Sequence, residues 1–225
     1  MAELTDVSGV VVAILGGTGD QGKGLAYRFA LAGHRVLVGS RDAGRAQRAA
    51  EELNDMPGGG GVEGGENAAV AREADVVIVA VPWEGHRATL EGLRAELAGK
   101  IVVDCVNPLG FDKQGAYALA VEEGSAAQQA AAVLPESRVA AAFHHVSAML
   151  LLDPDVASVD LDVLVLGDDR EATDLVQALA GRIGGVRGIY GGRLRNAHQV
   201  EALTANLISI NRRYKAHAGV RVTDV

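Results

Sequence analysis

The chain has 225 residues, enough to bury a sizeable core in one large domain or in one domain with a smaller second part. Its formal net charge of -8 argues against a general nucleic-acid or membrane-surface binder, and 48% of its residues are apolar. A single cysteine, Cys105, gives neither a disulfide framework nor a metal cluster, so we expect a reducing cytoplasm. The acidic N-terminus lacks the basic start of a signal peptide, and no apolar run approaches membrane-spanning length.

The first predicted strand and helix enclose a glycine-rich turn. An apolar run over residues 10–16 ends at glycines, and a helical pattern begins at about Gln21. Between them lies Gly17-x-Gly19-x-x-Gly22, the spacing of the dinucleotide-binding fingerprint. We expect Gly17 to form the turn, Gly19 to let backbone approach a pyrophosphate, and Gly22 to let the helix pack on the strand. The alternative is a glycine-rich turn that binds no ligand.

The second predicted strand, over residues 35–40, ends in side chains that favour NADP over NAD. In this fold an acidic residue near that point holds the ribose 2′-hydroxyl of NAD. This chain instead has Ser40 and Arg41, with Arg45 one helical turn later. A hydroxyl and two guanidiniums suit a 2′-phosphate, while Asp42 is expected to start the next helix. The alternative is a solvated basic helix start.

Two further strands are predicted to end at the ligand crevice. Residues 75–82 and 100–108 are apolar runs, typical of buried parallel strands. Their ends carry Pro82 with Trp83, and Asn107. Since ligands bind at the carboxyl ends of such strands, Asn107 is expected to face the nicotinamide. Trp83 is expected either to pack against the cofactor or to cover the rim of the sheet.

Three histidines lie close to these strand ends. His86, with Arg87, begins the predicted helix after Trp83, and we expect both side chains at the surface. His144 and His145 end a strand predicted over residues 138–145, where alternation lets only one of them point into the crevice. Neither Cys nor carboxylate accompanies the pair at useful spacing, so we predict no metal site.

The repeated strand–helix alternation predicts an α/β fold with a doubly wound parallel sheet. We divide the chain into residues 1–150, a Rossmann-type NADP-binding domain, and residues 151–225, a smaller α/β C-terminal part. The last predicted element is a long helix over residues 196–214. Its apolar positions recur at helical spacing and indicate core or a subunit contact: Val200, Leu203, Leu207 and Ile210.

Segments from nearly the whole chain match one pattern. They are Ile14-Leu15-Gly16-Gly17-Thr18-Gly19, Gly22-Lys23-Gly24-Leu25-Ala26, Val38-Gly39-Ser40-Arg41, Pro82-Trp83-Glu84, Ala142-Phe143-His144, Leu194-x-Asn196 and Glu201-x-Leu203-Thr204. Together they resemble the coenzyme F420-dependent NADP oxidoreductases. The resemblance implies direct hydride transfer between NADP(H) and the deazaflavin ring of F420, a Rossmann-type domain with a smaller C-terminal part, and a homodimer.

The resemblance also implies residue roles. For NADP they are Thr18, Gly19, Asp20, Gln21, Ser40, Arg41, Arg45, Trp83, Arg87 and Leu109. For F420 they are His144, Ser147, Arg195, Asn196, Thr204, Leu207 and Ala218. Ala148 would lie where the two rings meet, and His144 would hydrogen-bond a ring carbonyl, so these two would position the rings with no essential acid or base. Ser147 and His145 replace a proline and a threonine of the family pattern, which makes the ring pocket more polar.

F420 carries a phosphate and an acidic tail, and four arginines are the expected patch for it: Arg193, Arg195, Arg212 and Arg213. Three other functions remain open at this stage. They are an NADP-binding redox sensor without turnover, a flavin- or ferric-linked NADP reductase, and an imine- or ketone-reducing NADP dehydrogenase on the same fold.

Overall fold

A computed structural model describes residues 5–225, so the first four residues of the acidic start discussed above lie outside it. The strands are β1 Val12–Leu15, β2 Val36–Ser40, β3 Val62–Glu66, β4 Val76–Val79, β5 Ile101–Asp104, β6 Leu109–Asp112, β7 Gly115–Ala118, β8 Arg138–Ala141, β9 Leu161–Gly167 and β10 Val186–Gly192. The helices are α1 Asp20–Leu31, α2 Ala43–Asn54, α3 Asn67–Glu73, α4 His86–Glu91, α5 Arg94–Leu97, α6 Ala126–Val133, α7 Ala148–Leu152, α8 Arg170–Ala180 and α9 Ala197–Tyr214. Short 3₁₀ turns cover Trp83–Gly85 and Leu194–Asn196.

Eight strands form one sheet in the order β10-β9-β8-β5-β4-β1-β2-β3. All pairs from β3 to β8 are parallel. The chain leaves β1 toward β2 on one side and returns to β4 on the other, so a topological switch point lies between β1 and β4. The predicted doubly wound α/β sheet is confirmed, and a ligand crevice is expected at the carboxyl ends of β1 and β4.

The C-terminal strands extend this sheet. Strand β9 pairs antiparallel with β8, and β10 pairs parallel with β9. The division proposed at residue 150 falls inside α7, and the sheet continues across it. Residues 151–225 therefore share a sheet with the first part, and α9 packs back toward the crevice.

Alternating side chains of the strands build two apolar layers, one on each side of the sheet. In β1, Val12 and Ile14 face the layer that includes Leu25 and Phe29 of α1. The neighbouring β1 residues face the opposite layer, which is completed by α3, α4, α6 and the first half of α9. Strands buried on both faces explain the continuous apolar runs in the sequence.

One feature of the fold differs from the sequence-based expectation. An antiparallel hairpin, β6–β7, follows β5 and was not predicted. The stripe on α9 is divided, because Val200 and Leu207 are buried whereas Ile210 is 40% exposed. Within residues 5–225, no helix has the length and apolar character needed to cross a membrane.

Candidate functional site

The turn after β1 contains glycines that close packing requires and one glycine, Gly19, that packing does not require. A Cβ on Gly16, where φ is +72°, would lie 2.8 Å from the Ala80 carbonyl oxygen. A Cβ on Gly17 would lie 2.9 Å from a carbonyl oxygen of β1, and one on Gly22 would lie 2.6 Å from the Gly17 Cα. On Gly19, where φ is -85°, the nearest atom would be 3.7 Å away. The protein itself leaves Gly19 open, as expected where a ligand approaches the backbone.

The N-terminus of α1 fits a phosphate. Gly19 is the N-cap residue and supplies no side-chain hydrogen bond to the first turn, whose N–H groups point away from the helix. The first intrahelical bond runs from the Lys23 N–H to the Gly19 carbonyl at 2.8 Å. The open face of Gly19 and the positive end of the helix dipole therefore meet at one place, which suits a pyrophosphate.

The end of β2 lies directly beside this turn. The Gly17 N–H donates to the Gly39 carbonyl at 3.1 Å. Asp42 caps α2, since its Oδ1 accepts from the Arg45 N–H at 3.0 Å, and its own N–H donates to Ser40 Oγ at 3.2 Å. The expectation that Asp42 starts the helix is confirmed.

The two arginines expected to bind the 2′-phosphate are available to a ligand. Arg41 and Arg45 are exposed, and in the part of the chain that the structure describes neither forms an ion pair. Their guanidinium groups stay hydrated in the free protein and would exchange that hydration for phosphate oxygens.

A cavity of about 380 Å³ opens beyond the switch point, below the carboxyl ends of β4, β5 and β8 and against α9. It brings together many of the predicted residues: Gln21, Pro82, Trp83, Asn107, His144, Ser147, Thr204, Leu207 and Ala218. Other lining residues were not assigned a cavity position from the sequence: Cys105, Val106, Val146, Ile208 and Asn211. Ile208 and Asn211 could have been found, because they share the helical face of α9 with Thr204 and Leu207.

The loop that follows β8 is fixed from three sides. Its Phe143 has a left-handed backbone with φ of +66°, a conformation that costs free energy and needs support from its surroundings. Gln21 Nε2 donates to the Phe143 carbonyl at 3.2 Å. The His144 carbonyl accepts from Asn107 Nδ2 at 2.8 Å and from Thr204 Oγ1 at 3.0 Å. Side chains from α1, from the segment after β5 and from α9 thus set the position of this loop.

The expectation that only one of the paired histidines faces the crevice is wrong. Strand β8 ends at Ala141, and the left-handed Phe143 breaks the alternation, so His144 and His145 both line the cavity. Burial lowers the pKa of each imidazole to about 4, so both are neutral near pH 7.

Several polar atoms of this wall have no hydrogen-bond partner among the described residues. They are both ring nitrogens of His144, Nδ1 of His145 and Oδ1 of Asn107. His145 Nε2 accepts weakly from the Leu164 N–H at 3.4 Å, which places the proton of the neutral ring on Nδ1. Since unpaired buried polar atoms are costly, this concentration fits a site whose polar partners arrive with a ligand.

The segment after α9 closes one side of the cavity. The Ala218 N–H donates to Asn211 Oδ1 at 2.6 Å, and Ala218 lines the cavity. The buried Asp162 anchors the segment through ion pairs with Arg187 and Arg221. These partners, of which Arg187 has the largest effect, hold the pKa of the Asp162 carboxyl well below its usual range.

Some predicted contact residues do not line the cavity. Ala148 and Leu109 are half-buried beside it, at the starts of α7 and β6, and Asn196 precedes α9. Arg87 is at the surface, as expected, and pairs with Glu123. His86, in contrast, is fully buried, so its predicted surface position is wrong.

The four arginines proposed for an acidic tail do not form one patch. Arg193 and Arg195 precede α9, whereas Arg212 and Arg213 lie in its last turn, and this helix of 18 residues is about 27 Å long. Arg193 lies 3.6 Å from Asp168. Arg212 and Arg213 instead line a second cavity of about 570 Å³, under the β6–β7 hairpin. Ile208 lines both cavities, so only this pair is adjacent to the first one.

Across residues 5–225, no group of three or more His, Cys, Asp or Glu side chains is arranged to hold a metal ion. The candidate site therefore has two adjoining parts. One is the N-terminus of α1 with the arginines that follow β2, and the other is the cavity lined by polar side chains.

Comparison with known proteins identifies this arrangement. Residues 11–108 match the family model described as NADP oxidoreductase coenzyme F420-dependent. The F420-dependent NADP reductase of Methanothermobacter thermautotrophicus is 42% identical over 221 residues, covering 95% of each chain. The enzyme of the same name from Methanocaldococcus jannaschii is 41% identical over 221 residues, covering 95% of this chain and 98% of its own.

The chain belongs to the F420-dependent NADP reductase family. A crystal structure of a provisionally assigned F420-dependent NADP reductase from Arthrobacter sp. FB24 superimposes with a TM-score of 0.81 at 28% identity. The alignment covers 96% of this chain and all of the other one. The likeness includes the C-terminal strands and α9, so the wall that α9 forms belongs to the fold of this reductase family.

Proposed function

We propose that this reductase transfers a hydride directly and reversibly between NADP(H) and coenzyme F420, with both molecules binding and leaving as substrates. Family membership over nearly the full chain supports this reaction. The observation that carries it in the structure is the continuity of three features: the open Gly19 turn, the exposed Arg41 and Arg45, and the cavity at the switch point.

NADP would lie along the carboxyl edge of the sheet. Its 2′-phosphate would meet Ser40, Arg41 and Arg45, and its pyrophosphate the turn from Gly17 to Gly22. Pro82, Trp83 and Asn107 would then border the nicotinamide where the edge enters the cavity. Residues 1–150 form this NADP-binding part, and Arg87 and Leu109 lie at its margin.

The F420 ring would occupy the side of the cavity formed by α9 and the loop after β8. The candidate residues are His144, Ser147, Thr204, Leu207 and Ala218, which line the cavity together. Ser147 Oγ also meets His217 Nδ1 at 3.3 Å, which links this loop to the C-terminal segment. Residues 151–225 thereby contribute one wall of the site, and Arg195 and Asn196 lie beyond it.

The protein's part in the reaction is positioning. The nicotinamide and the deazaflavin, when bound, supply the carbon atoms between which the hydride moves. The chain must hold two flat rings in contact and keep water out, and it needs no essential acid or base. Ala148 is small enough to permit close approach beside the rings. Neutral His144 can donate a hydrogen bond to a ring carbonyl, where charge develops during transfer.

Isotope transfer tests direct hydride passage. NADPH carrying deuterium at both C4 positions is incubated with the protein and oxidised F420 in ordinary water. We expect deuterium in the reduced deazaflavin, together with a primary kinetic isotope effect. A product that carries only solvent hydrogen would contradict direct transfer. Binding of NADPH without any reduction of F420 would favour a sensor instead.

His144→Ala is expected to lower kcat about tenfold or more and to raise the KM for F420, because a donor to the developing charge is lost. Steady-state kinetics with each substrate varied measures both values. The exposed His198 of α9 provides the control, since His198→Ala changes the same residue type outside the cavity. With its pKa near 4, His144 itself should add no inflection to the kcat/KM profile of the parent protein between about pH 6 and 8. Unchanged rate and affinity in His144→Ala would contradict the role.

Charge reversal at Arg212 and Arg213 is expected to raise the KM for F420 more than that for NADPH. The two side chains line the second cavity, next to the ring site, and would attract the acidic tail in a protein of net charge -8. Arg170→Glu, at an exposed position at the start of α8, provides the control for each single reversal. Equal effects on both substrates would contradict a tail site. The measurement is repeated at several salt concentrations, because the difference should shrink as salt screens the charges.

We also propose a cytoplasmic homodimer. Exposed large side chains of the C-terminal part, Tyr190, Ile210 and Tyr214, provide apolar surface for a subunit contact. Sedimentation equilibrium should give twice the chain mass, and Tyr214→Glu should shift the equilibrium toward single chains. A single-chain mass at all concentrations would contradict the dimer.

A further inference from the structure

Behind the nicotinamide side of the cavity lies a buried polar pair that the proposed reaction does not use. His86 and Asp104 are both fully buried, and His86 Nε2 lies 2.6 Å from Asp104 Oδ2. Neither side chain lines the cavity. The other atoms of the pair are also bonded, since His86 Nδ1 meets Gln129 Oε1 at 2.9 Å and Asp104 Oδ1 accepts from the Val106 N–H at 3.0 Å.

The pair contacts residues that belong to two different walls of the cavity. On one side the His86 ring packs against the Trp83 ring, with centroids 5.5 Å apart and planes tilted by 33°. On the other side Asp104 holds the N–H of Val106, in the segment where Val106 and Asn107 line the cavity. One hydrogen bond thus joins the supports of both walls.

A further buried carboxyl group, Glu201, acts on the pair. Burial opposes a charge on His86, but Asp104, Gln129 and the more distant Glu201 together raise its pKa. Glu201, on α9, accepts from the N–H groups of Ala126 and Ala127, and burial raises its pKa to about 7. Breaking a buried pair by removing one member is costly, whereas replacing both members by apolar groups is often tolerated.

We infer that His86 and Asp104 are positioning residues for hydride transfer, which fix Trp83 and the Val106–Asn107 segment against the nicotinamide. The inference rests on the proposed function. The 2′-phosphate and the pyrophosphate of NADP would bind elsewhere, at Arg41 and at the Gly19 turn. Loss of the pair should therefore leave most of the NADP affinity in place and misplace the reacting ring, which lowers kcat.

The test compares three variants. Asp104→Asn keeps the geometry, because its amide oxygen can accept from Val106 and its amide nitrogen can donate to a neutral His86. The double variant His86→Phe/Asp104→Leu keeps an aromatic ring beside Trp83 and leaves no charge at these two positions. It loses the hydrogen bond that the Val106 N–H donates to Asp104. Arg138→Leu is the control, since it breaks the ion pair with Asp169 at the start of β8, the end of that strand away from the cavity.

We expect kcat of the double variant to fall on the order of 10- to 100-fold, with the KM for NADPH changed by less than about threefold. Trp83 is the only tryptophan, so its emission in the protein without NADP or F420 should change in the double variant. Asp104→Asn should keep both the parent kcat and the parent emission. Arg138→Leu should lower only the melting temperature.

The positioning role is overturned if the double variant behaves like Arg138→Leu, with a lower melting temperature but unchanged emission and kcat. It is also overturned if Asp104→Asn loses as much kcat as the double variant, since charge and not position would then matter. The Trp83 emission needs neither NADP nor F420. A parent protein that fails to reduce F420 would thus count against the proposed function, whereas the emission still tests the packing of the pair.

Discussion

Gly19→Ala is expected to weaken NADPH binding by about 100-fold or more with only a small change in the melting temperature. The added Cβ would meet no protein atom within 3.7 Å, and φ of -85° suits alanine. The same methyl group would occupy the surface that a pyrophosphate needs, at the first-turn N–H groups of α1. Losing two charge-assisted hydrogen bonds of about 1.5–3 kcal/mol each gives the expected size. Titration with NADPH and a thermal melt measure the two effects.

Gly22→Ala, three residues later in the same turn, provides the matched control. Its Cβ would lie 2.6 Å from the Gly17 Cα, so α1 must move away from β1. Overpacking of this kind costs about 1–3 kcal/mol, and the melting temperature should fall by about 2–4 °C for each kcal/mol. If Gly19→Ala bound NADPH normally, the pyrophosphate would not lie at this turn. If it melted like Gly22→Ala, the turn would be less open than the structure indicates.

The double variant Arg41→Ala/Arg45→Ala is expected to raise the KM for NADPH on the order of 100- to 10,000-fold and to leave the KM for NADH unchanged. Each guanidinium is expected to form charge-assisted bonds to the 2′-phosphate, worth about 1.5–3 kcal/mol, and NADH has no such group. Kinetics with the two nucleotides in parallel measure the difference directly.

Arg94→Ala provides the control for this pair, because Arg94 is equally exposed but lies on α5, before β5 begins. It should leave both KM values unchanged. Equal increases for NADPH and NADH in the double variant would show a general effect on the nucleotide site. The preference for NADP would then have to come from residues other than Arg41 and Arg45.

Local patterns predicted most of the fold. The turn from Gly17 to Gly22 follows from residue type and spacing within a dozen positions, and the apolar runs of β4 and β5 mark strands buried on both faces. The β6–β7 hairpin was missed because its short strands mix glycine, charged and exposed aromatic residues. The antiparallel direction of β9 depends on the path of the chain between β8 and β9. The residues in and next to β9 do not indicate that direction.

The site residues that sequence reasoning placed wrongly depend on distant partners. His86 looks like a surface residue in its own helix, and only the fold brings Asp104 and Gln129 against it. His144 and His145 share the cavity because Phe143 takes a left-handed backbone, which Gln21 supports from α1. Strand alternation alone could not indicate such a turn. Ile208 and Asn211, in contrast, were within reach of the helical pattern of α9.

We propose above all that this chain passes a hydride from NADPH to the deazaflavin of F420. The most direct measurement mixes the purified protein with NADPH and oxidised F420 and follows the visible absorbance band of the deazaflavin. Parallel samples contain NADH in place of NADPH, or FMN in place of F420. We predict rapid loss of the band with NADPH and F420 and little change in either parallel sample. An unchanged band, under conditions where tight NADPH binding is detected, would contradict the claim.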